Sequence, residues 1–524
     1  MTQQTKHITY NTIVVMAAFA ADKLLALVRD WVIARRFGAG MEYDAFSAAI
    51  QAPELLYTLL AGGALLAAFI PVMSKEVEKP DPEARWLLAS RFANIVSILL
   101  LLSGLFIAIW SRSLVQNWIA PDFSLEKQEL TASILRIVMI QTFIFGVAGI
   151  AVGSLHAHKH FFLPALAPLF YNLGQIVGAL LLAPHMGIEG LVWGMVIGAV
   201  LYLGILFPGL VRYGARYFSS FGLDDEKVRL VLRLMVPRIV MLGMVEFADL
   251  VIVRVGSALP DGHLSSYFWG WRLMQLPETL IGTAIGQVVF PTLAEHYGKG
   301  NLDEYRKRMN SSIQTILYLS MLSSVPLVFL ATPILSQIGG ALDHTSIVLI
   351  RNVLVFFAFR LVGESLLEVA ARSFYAQQNT RVPMYASILG QGLGIVLYLE
   401  LNPVMGIRGI ALASAIAYLT ETFVLLLWLR RTGKGMIERD LVFSLLRCLG
   451  GVAVATTIAY LVSHVLGRNL WQLESMIPSL LIGASYLAAY IIATAAVGSR
   501  EPANVLRMIR KIVSKYRQGT RSQE

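Results

Sequence analysis

Charged residues recur at fixed spacing in an apolar stretch near the start of the chain. Asp22, Arg29 and Arg36 are seven residues apart, with Lys23 and Asp30 as an adjacent row. A seven-residue repeat drifts only slightly around a helix, so these side chains form one polar stripe. Guanidinium forks make bidentate, charge-assisted bonds to phosphate, so the chemistry on offer is recognition of an anion. Lys23 and Arg29, deep in the run, are expected to face a cavity. Arg35 and Arg36, near its end, suit anchoring at a membrane boundary.

Further charge lies in other apolar runs. Arg238, Glu246, Asp249 and Arg254 fall in residues 230–256, where Arg238 and Asp249 share a helix face. Arg272 and Glu278 occur in "SYFWGWRLMQLPE". Arg360, Glu364, Glu368 and Arg372 follow at four-residue steps, a ladder that can neutralise itself within one helix or serve a gate. Glu421 is a lone acid. A charge facing lipid at mid-bilayer costs about 2.5–3.5 kcal/mol or more, so such groups normally face a bundle interior or a wet cavity. No catalytic or metal-binding set is expected, because there is no DxD pair and no large loop to carry one. The single cysteine, Cys448, excludes an internal disulfide and a multi-cysteine metal site.

These residues need long apolar helices to position them, and composition supplies those. Of 524 residues, 56% are hydrophobic and 15% charged, more apolar surface than a soluble core could hide. Segments of about twenty apolar residues, enough to cross a bilayer, recur along the chain. We expect an all-α polytopic membrane protein of about fourteen spans. The net charge of +10 concentrates in loops after even-numbered spans and in a tail holding Arg507, Arg510, Lys511, Lys515, Arg517 and Arg521. That places both termini in the cytoplasm and argues for membrane lipid rather than nucleic acid as the tail's partner.

The chain also repeats itself. "PHMGIEG" at 184–190 and "PVMGIRG" at 403–409 are offset by 219 residues, and Ser154, Ala157 and Pro164 fall on Ser373, Ala376 and Pro383. "APELLYTLLAGG" and "LPETLIGTAIGQ" align Pro53-Glu54 with Pro277-Glu278, where proline should kink corresponding helices. Six spans per repeat give both halves the same orientation, a parallel repeat about the membrane normal. The expected organisation is an N-lobe at 1–215, a C-lobe at 216–435, an accessory pair of spans at 436–498 and a basic tail at 499–524. Charge clusters at the start of each half, which implies a cationic cavity and an anionic substrate.

"VRDWVIARRFGAGMEYDAFSAAIQAPELL" and "WRLMQLP…FPTLAEHYGKGNLDEY" resemble the signatures of the MurJ (MviN) family within the MOP exporter superfamily. The resemblance implies a non-enzymatic, alternating-access flippase of the bacterial inner membrane. Its substrate would be lipid II, the undecaprenyl-pyrophosphate-linked peptidoglycan precursor, moved from inner to outer leaflet. It implies Lys23, Arg29, Asp44 and Arg272 as the charged cavity set, the cations facing pyrophosphate. Asp30, Glu54, Tyr57, Glu246, Asp249, Glu278, Glu364 and Glu368 are the cavity or gating candidates. The final two spans would form a groove for the polyprenyl tail. No cofactor is expected beyond coupling to membrane potential or a monovalent cation, and the protein is expected to be a monomer. The chain departs from the family pattern at Lys23, Tyr57, Gly62 and Trp271, where arginine, arginine, glutamate and an acid are common. Rival readings are a flippase for another polyprenyl-linked glycan of the O-antigen type, a MATE-like exporter, and a scaffold without transport.

Overall fold

In the first half of the chain, apolar runs form helices α1 (Gln3–Phe37), α2 (Met41–Leu60), α3 (Gly63–Val77), α4 (Pro82–Leu114), α5 (Leu125–Ala157), α6 (Phe162–Val177), α7 (Ala183–Met186), α8 (Ile188–Arg212) and α9 (Glu226–Gly256). There follow α10 (His263–Glu278), α11 (Ala284–Gly298), α12 (Leu302–Phe329), α13 (Ala331–Ile338), α14 (His344–Ala376), α15 (Arg381–Met405), α16 (Ile407–Arg431), α17 (Arg439–Val465) and α18 (Met476–Ala496). This computed structural model describes the backbone of residues 3–431, 439–470, 473, 475–499, 501 and 502. Lys434 and the tail cations from Arg507 to Arg521 lie outside the described residues.

Local chemistry sets several helix starts. Asp81, Ser124, Asp225 and Asn301 each accept a hydrogen bond from a backbone N–H in the first turn of α4, α5, α9 and α12. Among the described residues, ten helices are long and apolar enough to cross a membrane. An expected total of fourteen requires four more: α1, the α2–α3 pair, α9 and the α10–α11 pair. Those are the charged or broken ones, which length and apolarity alone do not mark. Pro53 and Pro277 both lie inside continuous helix, and the irregular turns fall downstream of them. Downstream of Pro53, the Tyr57 carbonyl accepts from both Ala61 and Gly62 N–H, ending α2. After Pro277, residues Thr279–Thr283 form a π-helical turn.

The chain divides into two compact units. The first comprises Met1–Ser265 with Ile338–Asp343, the second Ser266–Gln337 with His344–Glu524. The division falls inside α10, and α9 packs with the first unit through α2 and α3. In the first unit, α6 and the π-helical turn that continues it (Gly178–Leu182) approach α8 through Gly174, Gly178, Gly194 and Gly198, where a Cβ would collide with the facing backbone. In the second, α15 and α16 approach through Gly390 and Gly394 against Ala417. Small residues allow such contact where lipid supplies no hydrophobic drive between helices.

Candidate functional site

On α1 the polar stripe forms a hydrogen-bonded relay with α6. Arg29 donates to Asp30 Oδ1 from Nε at 3.0 Å and from Nη2 at 2.8 Å, and to Asn172 Oδ1 from Nη1 at 2.7 Å. Asn172 in turn donates to Asp22 Oδ1 at 2.8 Å. The guanidinium is half-buried and its plane is held on two sides, so it is oriented before any ligand arrives. Lys23 is exposed and donates no hydrogen bond among the described residues. Asp22 and Asp30 balance Lys23 and Arg29 in formal charge, so the stripe alone is near neutral. Arg35 and Arg36 donate to the backbone carbonyls of Ile338 and Ala183, each at 3.4 Å, and so tether the end of α1.

Asp44 is placed differently from the other members of the expected cavity set. It is 1% exposed and accepts from Lys127 Nζ at 2.8 Å, Gly262 N at 2.8 Å and Ser265 N at 2.6 Å. Lys127 also pairs with Asp261 at 2.8 Å and sits over the Phe123 ring. With its oxygens committed to three donors inside the first unit, Asp44 joins α2, α5 and the start of α10 rather than presenting a free acid. Also in that unit, Glu54 is exposed on α2, and Thr58 donates to Glu246 Oε1 at 3.0 Å. Tyr57, standing where the family has arginine, packs its ring against Phe145. Asp249 is half-buried, and Arg254 caps the carbonyls of Asn117 and Trp118.

In the second unit Arg272 is half-buried with its guanidinium 5.4 Å from the Trp269 ring centroid. The α14 ladder resolves into two i,i+4 pairs, Arg360–Glu364 at 2.8 Å and Arg372–Glu368. Arg360 is further fixed by Ser414 and Tyr267, and Gln275 donates to Glu364 at 2.8 Å. Glu278 is 3% exposed and accepts from Thr283 in the π-helical turn; Glu421 accepts from Gln391. An apolar groove of about 800 Å³ runs along α12, α14, α16 and α17, with Leu441, Leu445 and Leu449 on the α17 wall. Of the two final helices only α17 lines it, while α18 packs against α17 and α12.

Asn172 and Lys127 were not among the expected site residues. A lone amide in the apolar run "PLFYNLGQIV" is a usable signal for Asn172. Lys127 in "SLEKQEL" carries no such mark, because it reads as an exposed first-turn residue.

The family model described as lipid II flippase MurJ matches residues 33–482. The chain belongs to the MurJ family. Within the family, a probable lipid II flippase MurJ of Rhizobium tropici is 28% identical over 462 residues, covering 86% of each chain. The lipid II flippase MurJ of Burkholderia cenocepacia is 26% identical, covering 79% of this chain and 82% of its own. A solved MurJ structure, described as an inward closed conformation, superposes with a TM-score of 0.79 at 23% identity, covering 93% of this chain and 98% of that one. An inward-facing MATE multidrug transporter of the MOP superfamily follows at 0.67 and 16% identity, covering 80% and 97%. The family is one of transporters, and MATE proteins share its fold.

Proposed function

We propose that this protein is a lipid II flippase. The observation that carries this reading is the family match over residues 33–482, a region holding almost all the spans and the site residues from Asp44 onward. The pre-oriented Arg29 fork supports it, since a fixed guanidinium is the group best matched to pyrophosphate. We assign Lys23, Arg29 and Arg272 to the headgroup's pyrophosphate and the α17-walled groove to the polyprenyl tail. Asp44 we assign to holding α2, α5 and α10 together. Transport proceeds from inner to outer leaflet of the bacterial inner membrane by alternating access, with both termini cytoplasmic, as a monomer, with no cofactor. Membrane potential is a sufficient drive, because one charge crossing 100 mV gains about 2.3 kcal/mol; a monovalent cation is the other candidate for coupling.

Complementation tests the assignment. Cells depleted of their own lipid II flippase are expected to grow when supplied with this chain. Failure to grow, with the protein shown to be correctly inserted, overturns the lipid II reading and leaves another polyprenyl-linked glycan as substrate.

A further inference from the structure

Residues 155–160 and 374–379 make the same turn. In the first, Lys159 N donates to His156 O at 2.9 Å and His160 N to Leu155 O at 2.9 Å. In the second, Gln378 N donates to Tyr375 O at 2.9 Å and Asn379 N to Phe374 O at 3.0 Å. Lys159 and Gln378 both adopt positive φ, 59° and 58°. The side chains on the two turns are unlike. Gln377-Gln378-Asn379 is neutral and used structurally: Gln377 donates to the Tyr305 hydroxyl and Asn379 caps the start of α15. His158-Lys159-His160 is basic, so the turn itself does not require the charge.

More cations and aromatic rings gather around the basic turn. The His158 ring stacks on Trp86 and tilts against Tyr213, and His160 meets Tyr213 edge-on. Arg85 lies near His158 and Arg212 near His160, close enough for each arginine, after burial, to help hold its histidine below the usual range. The Ser154 carbonyl, bonded to His158 Nδ1, opposes that depression. The local potential is therefore positive. Neither arginine is paired to an acid among the described residues; the acid closest in sequence, Glu83, is bonded to Arg216 at 3.0 Å. Arg85 Nε, a donor in every ionisation state, is buried without a hydrogen-bond partner, and His158 Nε2 and His160 Nε2 beside it are likewise unbonded. The free Arg85 Nε–H is a donor available to an incoming anion, and burial strengthens the drive to pair it. Next in sequence to the turn, Phe161 and Phe162 expose apolar rings, and Tyr217, four residues after Tyr213, exposes an amphipathic ring of the kind enriched at a membrane surface.

We propose that Arg85, Lys159, Arg212 and the His158–His160 turn form a binding site for the phosphate of an anionic phospholipid headgroup, specific to the first unit. The site rests on the membrane-spanning character of the chain and not on which glycolipid is transported. Native mass spectrometry of the full-length protein in detergent, with phosphatidylglycerol, phosphatidylcholine or inorganic phosphate added, tests it without reading transport. Phosphatidylglycerol is expected to be retained in preference to phosphatidylcholine. Lys159→Gly, which keeps the positive-φ turn, and Arg212→Gln, on an exposed side chain, should each weaken retention roughly fivefold. Arg308→Gln, in the second unit and paired with Glu304, should leave it unchanged. Equal retention of the two lipids, or wild-type retention by both first-unit variants, overturns the site. Displacement of the lipid by millimolar inorganic phosphate overturns the lipid source in favour of a soluble phosphate.

Discussion

Lys159 and Gln378 are equivalent residues of an internal repeat: they lie 219 positions apart and share a φ of 59° and 58°. They are the two non-glycine residues with positive φ among those described. The same offset relates Gly187 and Gly406, with φ of 58° and 57° and ψ of −144° and −138°. A repeat inferred from "PHMGIEG" and "PVMGIRG" is thus written into backbone conformation at two separate turns. Positive φ places a Cβ badly, so such positions persist only where the surrounding fold enforces them.

Gly406→Ala is accordingly expected to destabilise by about 1–3 kcal/mol. Gln378→Gly, at an equally unusual φ, is expected to stay within about 1 kcal/mol of wild type. Thermal unfolding in detergent compares the two, and equal losses would refute the conformational argument.

Arg29→Lys keeps the charge but loses the fork that bonds Asp30 and Asn172. A charge-assisted hydrogen bond is worth about 1.5–3 kcal/mol, so lipid II translocation in reconstituted vesicles should fall roughly tenfold or more. Asn172→Leu, which leaves Arg29 in place but frees its orientation, should reduce the rate less. Unchanged rates in both would remove Arg29 from the headgroup site.

Lys127→Met leaves the buried Asp44 carboxylate without its cation. Breaking a buried pair costs about 3–5 kcal/mol, and the lower end applies because Gly262 and Ser265 N–H still bond Asp44. Adding Asp44→Asn should recover much of the loss. A double-mutant cycle showing simple additivity would mean that the two do not interact.

Glu76, beyond the apolar run that ends at Met73, is held below its ordinary pKa. Burial pushes its carboxyl up, but hydrogen bonds and charge from Lys227 and Lys79 outweigh it. A depressed folded pKa contributes stability above the unfolded value and loses it as pH falls through the folded value. Wild type should therefore exceed Glu76→Gln in stability at neutral pH, with the gap closing on acidification below the unfolded value of about 4.5. A gap independent of pH would show that the pair contributes nothing through ionisation.

Leu445→Arg puts a charge on the α17 wall of the apolar groove. A mid-bilayer charge costs at least about 2.5–3.5 kcal/mol, so a polyprenyl tail should be excluded and translocation lost while the protein still inserts. Normal transport by this variant would separate the groove from the tail.

Much of the architecture was legible because it is written in local sequence. The paired Pro53-Glu54 and Pro277-Glu278 motifs mark the two helices that end in an irregular turn, at Ala61–Gly62 and at Thr279–Thr283. Arg360, Glu364, Glu368 and Arg372 announce their pairing by four-residue spacing. Three arrangements were not legible in local sequence. The unit boundary lies within α10, because α9 finds its partners in α2 and α3; α17 alone of the last two helices lines the groove; and Asp44 is an internal ion-pair partner. Each depends on which helices become neighbours, which periodicity does not encode.

By itself the sequence determined a membrane-spanning helical chain, its repeat, its family and the polar stripe of α1, because composition and spacing act through the helix that carries them. Only the tertiary structure decided which groups complete that stripe and which acid is buried. Asn172 reaches Arg29 across 143 residues and Lys127 reaches Asp44 across 83, contacts made by helix packing and visible only once the helices are side by side.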